Sequence, residues 1–184
     1  MNSRQNNLLD RKHQLGFSLI ELVVILFIIA ILAALAVPNM STWADNYRLN
    51  SAARDLVANL QNAKLEAVKR RAQCTITFNQ PVASYDYVVY VDTDSDLEYD
   101  AEQILMQIRL SDYKGVEFNT AKGGGDGLTF PANDNLRPSV AFNTRGLPIN
   151  NAGGFGSGSI YLKNLHNREK EIQISAAGSI KILQ

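Results

Sequence analysis

Apolar positions along the chain fall into three regimes. From Phe17 to Val37 only Ser18 and Glu21 are polar, so this run is apolar all round and has no period. After Pro38, Leu49, Ala53, Leu56, Leu60, Ala63 and Ala67 recur at spacings of 4, 3, 4, 3 and 4, the stripe of an amphipathic helix. From Cys74 onward the period shortens toward two. There "CTITF", "YDYVVYV", "ILMQIRL", "VEF", "LTF", "VAFN", "SIYLKNL", "EIQIS" and "SIKIL" read as short strands rich in β-branched and aromatic residues.

These regimes predict four segments: a leader at 1–16, an apolar helix at 17–37, an amphipathic helix at 38–71 and a β-rich domain at 72–184. The apolar segment would measure about 32 Å as a helix, enough to cross a bilayer core. Pro38 lacks an N–H and clashes with the preceding turn, so a kink is expected there. Lys69, Arg70 and Arg71 close the second helix, where cations interact favourably with a helix C-terminus. One helical stripe followed by short strands predicts an α+β fold, antiparallel sheet packed on the helix. "KGGGDG" at 122–127 and "NNAGGFGSGS" at 150–159 read as loops.

Charge adds an orientation. Lys+Arg and Asp+Glu both number 18, which gives no general attraction for nucleic acid. Residues 1–16 are nevertheless net +2 and the remainder net −2, so the positive-inside tendency leaves the leader in the cytoplasm and exports the rest. Cys74 is the only cysteine, which excludes an internal disulfide and any CxxC motif.

Glu21 is the anomaly, because a carboxylate inside a span costs about 2.5–3.5 kcal/mol on insertion scales. Three readings of the segment compete. Ala34-Leu35-Ala36 offers a small-x-small signal-peptidase site, yet the apolar run exceeds the usual signal length. A simple uncut anchor explains the span but gives Glu21 no partner. The third reading is processing at the start of the run.

The stretch "GFSLIELVV", behind a short basic leader and ahead of an apolar run closed by Pro38, resembles the class III signal of type IV pilins and type II secretion pseudopilins. That resemblance implies cleavage by a prepilin peptidase after Gly16 and N-methylation of Phe17. A long N-terminal helix followed by short strands is similar to minor pseudopilins and pilins of the GspH/FimT type. "EIQISAAGSIKIL" resembles their closing hairpin, although Gly178-Ser179 stands where Gly-Arg is common. The resemblance implies a pilin-like fold and a structural subunit without enzymatic activity. It also implies an inner-membrane anchor with a periplasmic domain, and partners in other pilins or pseudopilins and an assembly platform. A new amino group on Phe17 would lie about 6 Å along the helix from Glu21, giving the carboxylate a cation for charge pairing during assembly.

Other candidate chemistry is sparse. "DTDSDLEYDAE" places Asp92, Asp94, Asp96, Glu98, Asp100 and Glu102 at alternate positions, so the segment must bend or recruit a cation. Asp92, Asp94 and Asp96 have the spacing of the first three calcium-loop ligands, but Leu97 replaces the loop glycine and Gln103 the bidentate glutamate. The expected state is a solvated hairpin loop with no required cofactor, calcium being the alternative. His166 is the only imidazole outside the leader and no GxSxG accompanies it, so it reads as an exposed loop residue. The glycine clusters lack a phosphate-loop pattern. Some FimT-like minor pilins are thought to bind DNA through C-terminal bases. Here the candidates are Arg145, Lys163, Arg168, Lys170 and Lys181, interleaved with Glu169 and Glu171, so a mixed-charge surface is expected.

Overall fold

The computed structural model describes residues 16–79, 85–99 and 103–183, without the side chains of 35–39. One helix, α1 (Leu19–Arg70), precedes nine strands: β1 (Gln73–Phe78), β2 (Tyr87–Asp92), β3 (Gln103–Ile108), β4 (Val116–Phe118), β5 (Ser139–Phe142), β6 (Pro148–Ile149), β7 (Gly158–Asn164), β8 (Glu169–Ile174) and β9 (Ile180–Leu183). The chain forms two compact units, the first ending at Met40 and the second beginning at Ser41. The helix assignment runs through Pro38, whose side chain lies outside the description, as does the expected kink.

From Leu19 onward the described side chains of the first unit belong to exposed, largely apolar helix: Leu19, Phe27 and Leu32 are 81%, 67% and 61% exposed. Among the described residues, no helix is long and apolar enough to cross a membrane. The described apolar side chains end at Ala34, and the last part of the run falls among those not described.

The second unit is an α+β domain. One sheet has the order β3, β2, β1, β5, β6 and the other β4, β7, β8, β9, all pairs antiparallel. The helical stripe from Leu49 to Ala67 is buried against both. Alternation decides which strand residues meet it. Cys74, Ile76 and Phe78 of β1 face the core, as do Val89 and Val91 of β2, while β7 and β8 contribute Ile160, Leu162, Ile172 and Ile174. Phe78 stacks on Phe130 at 5.7 Å and meets Phe118 edge-on at 6.1 Å. Burial raises the Cys74 thiol to about 11, so it stays a neutral, packed side chain.

Two local expectations change. "LTF" forms no strand: Leu128 makes a single bridge to Ile160, and Phe130 plugs the core as a bend residue. A two-residue strand, β6, appears where none was expected, because Phe142 and Ala141 pair with Pro148 and Ile149 across a turn. Gly146 in that turn has φ of +73°, a conformation that favours glycine, and Lys64 of α1 packs against it. The same lysine donates to the Gly178 carbonyl at 2.9 Å, holding the β8–β9 turn to the helix.

Candidate functional site

The start of α1 is built by three residues that precede it. Gly16, Phe17 and Ser18 are exposed and non-helical, and the helix opens when the Leu22 N–H donates to the Ser18 carbonyl at 3.2 Å. The Ser18 hydroxyl accepts from the Glu21 N–H at 3.4 Å, so Ser18 is the N-cap and Glu21 sits three positions into the helix. Sequence reasoning centred on the charge of Glu21 missed Ser18, although S-x-x-E is itself the signature of a capping box. Glu21 thus gains a local role beside any charge pairing: an acidic residue in the first turn complements the helix dipole.

Gly16 is different. Its φ is not in the positive range and a Cβ placed on it would meet nothing within 4 Å. The fold makes no demand for glycine here.

The acidic segment folds over the outside of the five-stranded sheet. Asp92 ends β2 and is buried, one oxygen accepting from Thr75 Oγ1 (2.7 Å), Gln73 Nε2 (2.8 Å) and the Leu97 N–H (3.1 Å), the other from the Ser95 N–H (2.6 Å). Leu97 is pinned there with φ of +61° and 2% exposure, its carbonyl accepting from Asn133 and Thr77. One oxygen each of Asp92, Asp94 and Asp96 lies within 4.8 Å of the others. The two outer carboxylates differ from Asp92. Asp94 is exposed, and Asp96 accepts from the Glu98 N–H at 2.7 Å. Asp92 uses both oxygens on protein donors, which is the chemistry of a loop anchor. Asp100 and Glu102 lie outside the described residues.

Of the basic candidates, only Arg168 and Lys170 are brought together at one groove. Lys163 and Lys181 lie on the solvent face of the four-stranded sheet, Lys163 paired with Glu117 at 3.2 Å. Lys170 is opposite buried Leu162 in the register and so points to the other face, where with Arg168 it borders a groove of about 340 Å³ against Asn46, Leu49 and Asn50 of α1. Arg145 sits in the β5–β6 turn. Glu169 is held by Asn119 and Lys122, and the lysine keeps its carboxyl below the ordinary range.

His166 is less isolated than its loop position suggested. Its Nδ1 lies 3.3 Å from Asp45 and its Nε2 3.5 Å from Thr42 Oγ1. The order hydroxyl, imidazole, carboxylate is that of a hydrolytic relay. Thr42, however, lies inside α1, where backbone N–H groups are committed to helical carbonyls and leave no oxyanion donors. The contact docks the β7–β8 turn on the helix, with Asn164 donating to Asn46 at 3.0 Å beside it.

Comparison with known proteins settles the family. Residues 52–178 match the family model of the type II transport protein GspH. The chain belongs to the GspH family. Residues 11–37 match the prokaryotic N-terminal methylation motif, so this GspH-family chain carries the motif of typically membrane-anchored pilins ahead of the family domain. The pilin-like protein PilA1 of Thermus thermophilus is 33% identical over 86 residues, 46% of this chain and 53% of that protein. The match thus spans about half the length of that curated relative. Two crystal structures of the type IV minor pilin FimU of Pseudomonas aeruginosa are similar at 17% and 18% identity, with TM-scores of 0.41 and 0.37. They cover 77% and 74% of this chain and 92% and 93% of FimU. GspH-family chains are pilin-type structural subunits and not a known enzyme family.

Proposed function

We propose that this GspH-family chain is a minor pseudopilin or pilin. In this reading it is cut after Gly16 by a prepilin peptidase, methylated on Phe17, and anchored in the bacterial inner membrane by 17–37 with its domain in the periplasm. From there the assembly platform builds it with other pilins or pseudopilins into a filament. The observation that carries this is the tandem arrangement: a methylation motif at 11–37 and a GspH domain at 52–178 on one chain. Two structural features support it. Gly16 is a glycine the fold does not need, in an exposed, non-helical peptide open to a peptidase, and the apolar side chains that follow are uncovered.

Glu21 then acts in assembly, its carboxylate pairing with the amino terminus that cleavage creates on Phe17 or on a neighbouring subunit. A charge held in a low-dielectric setting without a partner costs several kcal/mol, so the pairing favours one docking register. The family's description as a type II transport protein supports a secretion pseudopilus over a type IV pilus.

N-terminal and intact-mass analysis in cells with and without a prepilin peptidase tests the reading. The expected mature chain begins at methylated Phe17 and is lost without the enzyme. Gly16→Val should fold normally yet accumulate uncut. A mature start at Val37 would mean an ordinary signal peptide and overturn the proposal. Deletion of the gene should reduce export of secreted proteins and leave surface motility intact; the reverse result would move the chain to a pilus.

A further inference from the structure

At the end where the chain enters the domain, α1 and the β7–β8 turn expose a combination that the fold does not use. Trp43 and Tyr47 are 67% and 61% exposed and stack at 5.9 Å, on the helix face away from the buried stripe. Leu165, at the tip of the turn, is 70% exposed. The turn is fixed at this end by the His166 and Asn164 contacts to residues 42–46, so Leu165 and Arg168 are held there too.

The charges at this end are unequal. Asp45 is already met by Arg48 and His166, and Glu169 by Lys122 and Asn119. Arg168 and Lys170 are then in excess, although the chain after the leader is net acidic. Exposed indole and phenol rings, a bare leucine and surplus cations suit the boundary of an anionic bilayer, where amphipathic rings settle at headgroup depth and cations meet phosphates.

Trp43 follows Val37 by six residues and Tyr47 by ten, so both are close in sequence to the apolar run. We infer that Trp43, Tyr47, Leu165, Arg168 and Lys170 form a docking face for the anionic phospholipid surface, holding the domain on the membrane before the subunit enters a filament. This rests on the proposed anchoring through 17–37.

Trp43 is the only tryptophan, so its fluorescence reports the contact without labelling. The full chain is reconstituted into vesicles of phosphatidylcholine alone and of phosphatidylcholine with phosphatidylglycerol, each carrying a quencher at shallow or deep acyl positions. Shallow quenching of Trp43 is expected, stronger with phosphatidylglycerol and weakened by salt. Arg168→Glu with Lys170→Glu should lower the docked-to-undocked ratio by more than tenfold, at about fivefold for each cation lost. Emission typical of water with no quenching in either vesicle overturns the inference. A blue-shifted but unquenched tryptophan does so too, by placing a protein partner there. Equal quenching in both vesicles overturns the assignment to anionic headgroups. Resistance to alkaline carbonate extraction is scored in parallel. A chain that is stripped from the vesicles refutes the anchor itself, whereas a retained chain with unquenched Trp43 refutes only the docking face.

Discussion

Two stretches of one helix distribute their apolar residues differently, all round in the first and as a stripe in the second, and meet different surroundings. Leu19, Phe27 and Leu32 in the first are 61–81% exposed, whereas Leu49, Leu56 and Leu60 in the second are 1% exposed or less. The distinction lies in the periodicity. An apolar stripe with a polar back can be satisfied by one covering domain, and residues 49–67 are covered by two sheets of their own chain. A helix that is apolar all round needs cover on every side, which no single domain supplies. The first stretch is therefore left without cover among the described residues, whereas the second is covered by its own domain.

The widest gap should appear on truncating one leucine from each stretch. Leu60→Ala opens a cavity in a fully buried stripe and should cost the domain about 3 kcal/mol. Leu32→Ala removes a side chain without cover in this chain and should change domain stability by about 0.5 kcal/mol or less. Denaturation of the full chain in detergent micelles, followed through the β-sheet signal, measures both. Similar losses from the two substitutions would mean that the helix folds as one cooperative unit with the domain and would erase the contrast.

A second substitution sharpens what self-sufficiency means for a charged group. Glu21 lies in the stretch that lacks cover, while Asp92 is buried with four donors from its own chain. Asp92→Ala leaves buried donors from Thr75 and Leu97 without their acceptor, at about 3 kcal/mol. Because protein donors already satisfy Asp92, neither calcium nor chelator should move the melting temperature of the unaltered chain. A rise with calcium would turn the loop anchor into a metal ligand.

What was legible in the sequence follows the range of the forces involved. The stripe from Leu49 to Ala67 could be read because helical burial repeats at a fixed local spacing, and most strands because alternation does the same. Asp92 was legible as an acidic residue but not as a buried one. Its partners come from β1 and from a loop that turns back with Leu97 at positive φ, which no local pattern records. A parity signal did exist: Thr75 and Thr77 alternate with Cys74, Ile76 and Phe78, marking a polar yet buried outer face on β1. Phe130 read as strand because an aromatic core plug and a strand residue look alike over three positions. The docking of His166 on α1 joins residues 121 and 124 apart in sequence and had no local trace. At the N-terminus, Gly16, Phe17 and Glu21 stood out through their spacing, whereas Ser18 passed as one more small polar residue although it begins the capping pattern.

That cap yields the smallest effect and separates two roles that share one glutamate. Ser18→Ala removes the acceptor for the Glu21 N–H and should weaken the first helical turn by about 1 kcal/mol. Amide exchange at residues 19–22 in micelles would read this as roughly fivefold faster opening. Glu21→Gln keeps a side chain suited to the capping position but removes the charge. If pairing with the new amino terminus drives assembly, Glu21→Gln is cleaved normally and enters filaments poorly, while Ser18→Ala frays the helix end yet assembles. If capping is the whole role of Glu21, the order reverses: Glu21→Gln assembles normally and Ser18→Ala carries the defect. Filament incorporation of the two variants, compared at equal levels of processed protein, distinguishes a carboxylate retained for its charge from one retained for its place in the turn.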